Sequence, residues 1–140
     1  MIGDKVFPAV HALIEHEGKY LFIEQNVLGT HQFWDLPGGK VDFGENPYDT
    51  LRREVKEEVG LEITIREPLG MWWFTRLNDG NQVVSTVFRC VASTDDVRLE
   101  HNPTNENITG FRWLTLTEYT EGDFTPSDPS LVNLLNGRSI

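Results

Sequence analysis

The run Val6 to Glu15 is apolar and rich in β-branched residues, and it is predicted as a strand. Gly18 marks a turn, and Tyr20-Leu21-Phe22-Ile23 is the expected partner strand of a hairpin. Asn26 to Gln32 is a polar loop around Gly29. Phe33 to Leu36 is a short apolar piece, stopped by Pro37-Gly38-Gly39. The chain must turn sharply there, and glycine lets its backbone approach a ligand closely.

The next pattern has a helical period. Leu51, Val55 and Val59 are four apart and make one apolar stripe. Asn46 is a candidate N-cap, Pro47 suits the first helical position and Asp49 suits the first turn. Gly60 is placed to end the helix. These signals predict a helix over Pro47–Val59, about 20 Å long.

Downstream, Leu61 to Ile65 and Gly70 to Leu77 read as two strands. Asn78-Asp79-Gly80-Asn81 is a hairpin turn, and Val83 to Val91 returns as a long strand. Ser93 to Asn107 is a polar loop. Ile108 to Leu114 is a further strand, and Thr115 to Tyr119 a short helical turn with Glu118 as a cap. Ser127 or Asp128 is expected to cap a last helix over Pro129 to Asn136. Strands mixed with few helices, and no repeat or linker, predict one α+β domain over residues 1–140 rather than a doubly wound parallel sheet.

Charge narrows the function. The formal net charge is −10, so most of the surface repels a polyanion, and binding to a nucleic acid duplex is disfavoured. A small phosphate compound remains compatible if a divalent cation or local Arg and Lys offset the field. The single cysteine, Cys90, lies in an apolar run and is expected to be a buried small hydrophobe. The lack of a second cysteine, of a signal-like start and of a membrane-length apolar run predicts a cytoplasmic protein.

On the helix, Glu54, Glu57 and Glu58 stand at i, i+3 and i+4 and share a face apart from the apolar stripe. Acidic residues at this spacing ordinarily form a solvated face. Clustered carboxylates repel one another, at roughly 0.2–0.5 kcal/mol per pair, and a cation among them removes that cost. Oxygen ligands suit a hard ion, Mg²⁺ or Mn²⁺, which keeps waters and takes phosphates. The four histidines are scattered and support no metal site. The residues therefore point to metal-assisted chemistry on a phosphate.

The stretch Gly39 to Leu61, GKVDFGENPYDTLRREVKEEVGL, resembles the Nudix box, G-x5-E-x7-R-E-U-x-E-E-x-G-U with U aliphatic. Gly39, Glu45, Arg53, Glu54, Val55, Glu57, Glu58, Gly60 and Leu61 fill every fixed position. Trp34-Asp35-Leu36-Pro37-Gly38-Gly39 is similar to the usual lead-in of that family. The resemblance implies a Nudix fold, an α/β/α sandwich around a central mixed β-sheet. It implies a pyrophosphohydrolase that cleaves a nucleoside diphosphate linked to another moiety with Mg²⁺ or Mn²⁺. A nucleoside triphosphate or related nucleotide is the first expectation. A sugar nucleotide or ADP-ribose is the alternative, and a non-catalytic nucleotide sensor is the alternative of another class.

The resemblance also assigns roles. Glu57 and Glu58 are expected metal ligands, Glu54 a ligand or a base, and Gly39 the donor of a backbone carbonyl. Arg53 is expected to orient a glutamate of the box. Glu45 braces the junction of loop and helix, while Gly38 and Gly60 are structural. Lys40 is a candidate phosphate contact, and Glu106 in the later acidic loop a candidate general base. Trp72 and Trp73 alternate on a strand, so one faces inward. Trp72 and Phe33 are the candidates to stack on a nucleobase. The expected partner is a small nucleotide, with the protein itself a monomer or homodimer.

Overall fold

The computed structural model describes residues 3–100 and 107–137. Its elements run β1 (Val6–His16), β2 (Lys19–Val27), β3 (His31–Asp35), β4 (Gly38–Lys40), α1 (Pro47–Val59), β5 (Ile63–Thr75), β6 (Gln82–Ala92), β7 (Ile108–Leu114), α2 (Leu116–Glu121) and α3 (Ser130–Leu135). The strands form one mixed sheet in the order β3-β2-β1-β6-β5, with β4 paired to β1 and β7 to β2.

Period-two alternation divides the core into two layers. Val10, Ala12 and Ile14 of β1, Leu21 and Ile23 of β2, and Phe88 and Cys90 of β6 face one way. They pack under Leu51, Val55 and Val59 of α1, all fully buried, and each such side chain contributes about 1.5–3 kcal/mol. Leu13, Phe22, Trp72 and Val87 face the other way, beneath Tyr119 of α2 and Leu131 of α3. Helices thus cover both faces of the sheet, the sandwich expected.

Helix α1 has the bounds its punctuation predicts. The Asn46 side chain accepts from the Tyr48 N–H, and Gly60 closes the helix in the left-handed region at φ 75°. Other expectations need correction. The two strands expected at Leu61 to Ile65 and Gly70 to Leu77 are one strand, β5. Irregular register between Ile65 and Gly70 lets it pass Pro68, which cannot donate to a ladder. The expected turn at Gly38-Gly39 is strand β4. Helix α3 starts at Ser130, and Asp128 accepts from the Ser130 N–H at 2.8 Å.

The β1–β2 hairpin is paired only at its turn, Glu15 to Tyr20 and His16 to Lys19. Beyond it the two strands part. On the edge of β1 the place of β2 is taken by β4, with Ala9, Val10 and His11 opposite Lys40, Gly39 and Gly38. On β2 the corresponding place is taken by β3, from Ile23 to Val27. The other edge of β1 runs parallel to β6 from Val6 to Glu15. A cleft opens where β1 and β2 diverge.

Candidate active site

The cleft is a cavity of about 450 Å³. Ala9 and His11 of β1, Gln25 and Val27 of β2, all of β4, Glu54 and Glu58 of α1, and Trp72 and Phe74 of β5 line it. The short strand β4 joins two parts of the site, because its outer edge runs along β1 while its glycines abut α1.

Glu58 is 2% exposed, and its Oε1 accepts the Gly38 backbone N–H at 2.8 Å. Gly38 has φ 150°, and a Cβ there would stand 2.2 Å from the Val10 carbonyl oxygen, so only glycine fits. Glu54 is nine-tenths buried, with its carboxyl carbon 2.7 Å from where a Cβ on Gly39 would lie. The missing side chain of Gly39 is thus the space that the Glu54 carboxylate occupies.

Arg53 organises the remaining acids. Its Nε and Nη2 each donate to Glu45 at 3.0 Å, a two-pronged pair. Its Nη1 donates to Glu54 at 3.1 Å and to Glu57 at 3.3 Å, and Nη2 lies 3.5 Å from Asp42. The Arg53 hydrogen bonds, helped by the Thr50 hydroxyl at 2.7 Å, hold the Glu45 carboxyl down at about 2. The hydrogen bonds to Glu45, with the nearby charges of Glu54 and Glu57, push the Arg53 guanidinium above its ordinary range. One cation thus offsets the repulsion among carboxylates that the helix spacing forces together.

The expected cluster is therefore divided. Glu54 and Glu58 line the cavity, whereas the Glu57 side chain, 29% exposed, is turned to Arg53. Among the described residues, no three His, Cys, Asp or Glu side chains converge as a ready-made metal cage. Two carboxylates beside a glycine backbone still fit a hard cation. Mg²⁺ binds through one or two carboxylates, and waters and substrate phosphates complete its shell.

The other expected residues are spread around the same space. Lys40 lines the cavity, with Nζ 4.4 Å above the Phe7 ring. Phe33 lines it as a half-buried ring. Trp72 faces inward and Trp73 outward, as alternation requires. Trp72 is only 1% exposed, edge-on to His11 at 4.7 Å and 4.9 Å from Phe74, which leaves no free ring face for stacking. Gly60 ends α1, away from the cavity lining. Glu106 lies outside the described residues. Cys90 is buried, and burial pushes its thiol up to about 12, so it stays protonated.

Several cavity residues were not legible from local sequence: His11, Asp42, Arg76 and Ser127. His11 carried one signal, a polar residue inside the apolar run Ala9 to Ile14. Ser127 is held by Asp35, which is 2% exposed and accepts both the Ser127 N–H, at 2.9 Å, and its hydroxyl. Burial raises the Asp35 carboxyl to about 6 against the pull of those two bonds.

This geometry agrees with the comparisons. The chain matches the NUDIX domain over residues 5–135 and belongs to the Nudix family. A MutT-like protein of Streptomyces ambofaciens is 32% identical over 109 residues, 78% of this chain. The chain spans only 63% of that relative's length. Nucleoside triphosphatase NudI of Escherichia coli O81 is 28% identical over 116 residues, 73% of this chain and 77% of its own. In fold, the crystal structure of a MutT protein from Methanosarcina mazei Go1 superimposes with a TM-score of 0.81. That match covers 99% of this chain and 96% of the other at 24% identity. Among the described residues, no helix is long and apolar enough to cross a membrane.

Proposed function

We propose that this chain hydrolyses a phosphoanhydride bond of a nucleotide, first of all a nucleoside triphosphate, with Mg²⁺ or Mn²⁺ held by Glu54 and Glu58. The observation that carries this reading is the pair of buried carboxylates flanking Gly38 and Gly39 at the wall of an open cavity. The E. coli relative named a nucleoside triphosphatase overlaps 73% of this chain, against 57% for a Methanocaldococcus jannaschii relative named an ADP-ribose pyrophosphatase, and this wider overlap supports taking triphosphates first and ADP-ribose second.

A bound divalent cation offsets the phosphate charge and lowers the pKa of a coordinated water. That makes an anionic substrate compatible with a chain of net charge −10. Glu54 and Glu58 supply carboxylate ligands, and the Gly39 carbonyl is the candidate backbone ligand. Glu57 remains a candidate ligand that exchanges Arg53 for the cation. Arg53 fixes the direction of Glu54 and holds Glu45 as a brace. Lys40, kept over the Phe7 ring at the cavity wall, meets a phosphate oxygen. The half-buried Phe33 ring takes the base by stacking.

In the reaction, water adds to one phosphorus, the bridging P–O bond breaks, and the leaving phosphate keeps its electron pair. The proton of the water passes to a carboxylate, for which Glu54 and Glu106 are the candidates. The test is product analysis on a panel of nucleoside triphosphates, sugar nucleotides and dinucleotides, with Mg²⁺ and with chelator. Metal-dependent release of a nucleoside monophosphate and pyrophosphate from triphosphates supports the reading. Cleavage of ADP-ribose or sugar nucleotides alone moves the substrate to the alternative. Binding without any turnover favours a sensor.

A further inference from the structure

We propose that His11 is a specificity-determining residue, a buried imidazole that hydrogen-bonds the nucleobase of the substrate. The proposal rests on the nucleotide reading above and deepens it at the part of the cavity lined by His11, Phe74 and Phe33.

His11 interrupts a fully apolar segment. Ala9, Val10, Ala12, Leu13 and Ile14 are all buried, and an imidazole among them gains nothing from hydrophobic packing that leucine would not supply. It is nevertheless held firmly. Its Nδ1 lies 2.6 Å from Oγ of Ser85, itself fully buried on the neighbouring strand β6. Of the two ring nitrogens, only Nδ1 has a hydrogen-bond partner among the described residues. Nε2 has no partner among the described residues and is not sealed from solvent, and the residue lines the cavity.

Ser85 fixes the ring through Nδ1 at 2.6 Å, and Nε2 takes the opposite donor or acceptor role toward a ligand. Burial keeps the ring neutral, with its pKa down at about 3, so it offers no charge to a phosphate. The cations of the lining are Lys40 and Arg76.

The surroundings suit a flat heterocycle. Phe74, edge-on to His11 at 6.3 Å, and Phe33 are half-buried and line the same cavity, while the buried Trp72 packs edge-on against His11 at 4.7 Å. Gly38 stands between His11 and the Glu58 carboxylate. A Cβ on Gly38 would fall 2.6 Å from His11 Cα and 2.8 Å from its Cδ2, while the Gly38 N–H holds Glu58. One glycine therefore sets both the ring and a carboxylate. A neutral ring nitrogen beside aromatic side chains reads one hydrogen-bonding group on the edge of a base, and a site built for such a bond rejects a ligand lacking it.

The experiment is calorimetric binding to the wild type, His11→Phe and Ser85→Ala. The ligands are nucleoside monophosphates of the common bases, ribose 5-phosphate and inorganic pyrophosphate. His11→Phe keeps a ring of similar breadth without the ring nitrogens. It is expected to weaken the preferred monophosphate about tenfold and to level the differences among bases. Ribose 5-phosphate and pyrophosphate stay within about twofold of their wild-type affinities. Ser85→Ala, which frees the tautomer but leaves the ring, shifts base preference in the same direction and covers the case in which His11→Phe does not fold. An unaltered base preference in a folded variant overturns the proposal, as does an equal loss for ribose 5-phosphate or pyrophosphate. A wild type that shows this base recognition yet turns over no nucleotide overturns the hydrolase reading and leaves the role of His11 standing.

Discussion

The Gly38 backbone N–H donates to Glu58 Oε1 at 2.8 Å, tying strand β4 to a helix residue 20 positions further on. This bond gives one carboxylate two separable duties. Glu58→Ala orphans a buried N–H, a cost of about 1–3 kcal/mol, and removes the charge. Glu58→Gln keeps an acceptor oxygen and removes only the charge. Chemical denaturation is expected to show a lower midpoint for the alanine variant and a near-wild-type midpoint for glutamine, while both lose turnover. A glutamine variant with full activity would show that Glu58 is a brace alone.

Arg53 holds Glu45 with two donors and Glu54 and Glu57 with a third. Lysine carries the charge but not the fork. Arg53→Lys is expected to lower activity by about 10–100-fold, the usual cost of disturbing a group that orients a ligand. Steady-state kinetics beside circular dichroism checks this, since the loss belongs to the rate and not to the fold.

Gly39→Ala places a methyl group 2.7–2.9 Å from the Glu54 carboxyl atoms. The side chain can swing away, so stability changes little. Its displacement from the cavity wall is expected to remove most activity. Thermal unfolding with an activity assay separates the two effects, and an active Gly39→Ala enzyme would mean that the position of Glu54 is not needed.

Two acids give opposite pH dependences. Glu45 is depressed from 4.5 to about 2, so its stabilisation is complete above pH 4.5 and is lost as pH falls toward 2. Asp35 is raised from 3.8 to about 6, so its protonated form favours the fold. That contribution is complete below pH 3.8 and is lost as pH rises through 6, on the order of 3 kcal/mol in all. Asp35→Asn can still meet both Ser127 groups and carries no charge. Urea midpoints across pH 4 to 7 are expected to decline less in Asp35→Asn than in the wild type. Parallel curves would remove the burial argument.

The sequence was most informative where signals are local. Asn46, Pro47 and Gly60 bound α1 to the residue, and the i, i+3, i+4 spacing located its acidic face. What the spacing could not show is that Arg53 divides that face, leaving Glu57 outside the cavity lining. Strand β4 was hidden because Pro37-Gly38-Gly39 has turn composition, and its ladder to β1 is set by tertiary contact. The parallel β1–β6 pair joins segments about 75 residues apart. No local period encodes such a pairing, nor the bond it permits between His11 and Ser85.

The central claim is that Glu54 and Glu58 together present a divalent cation to the cavity. Manganese binding read by electron paramagnetic resonance tests it most directly, on the wild type, Glu54→Gln, Glu58→Gln and Asp35→Asn. The account predicts weakened binding in both glutamine variants and wild-type affinity in Asp35→Asn. Unchanged manganese affinity in the folded Glu54→Gln and Glu58→Gln proteins would contradict it.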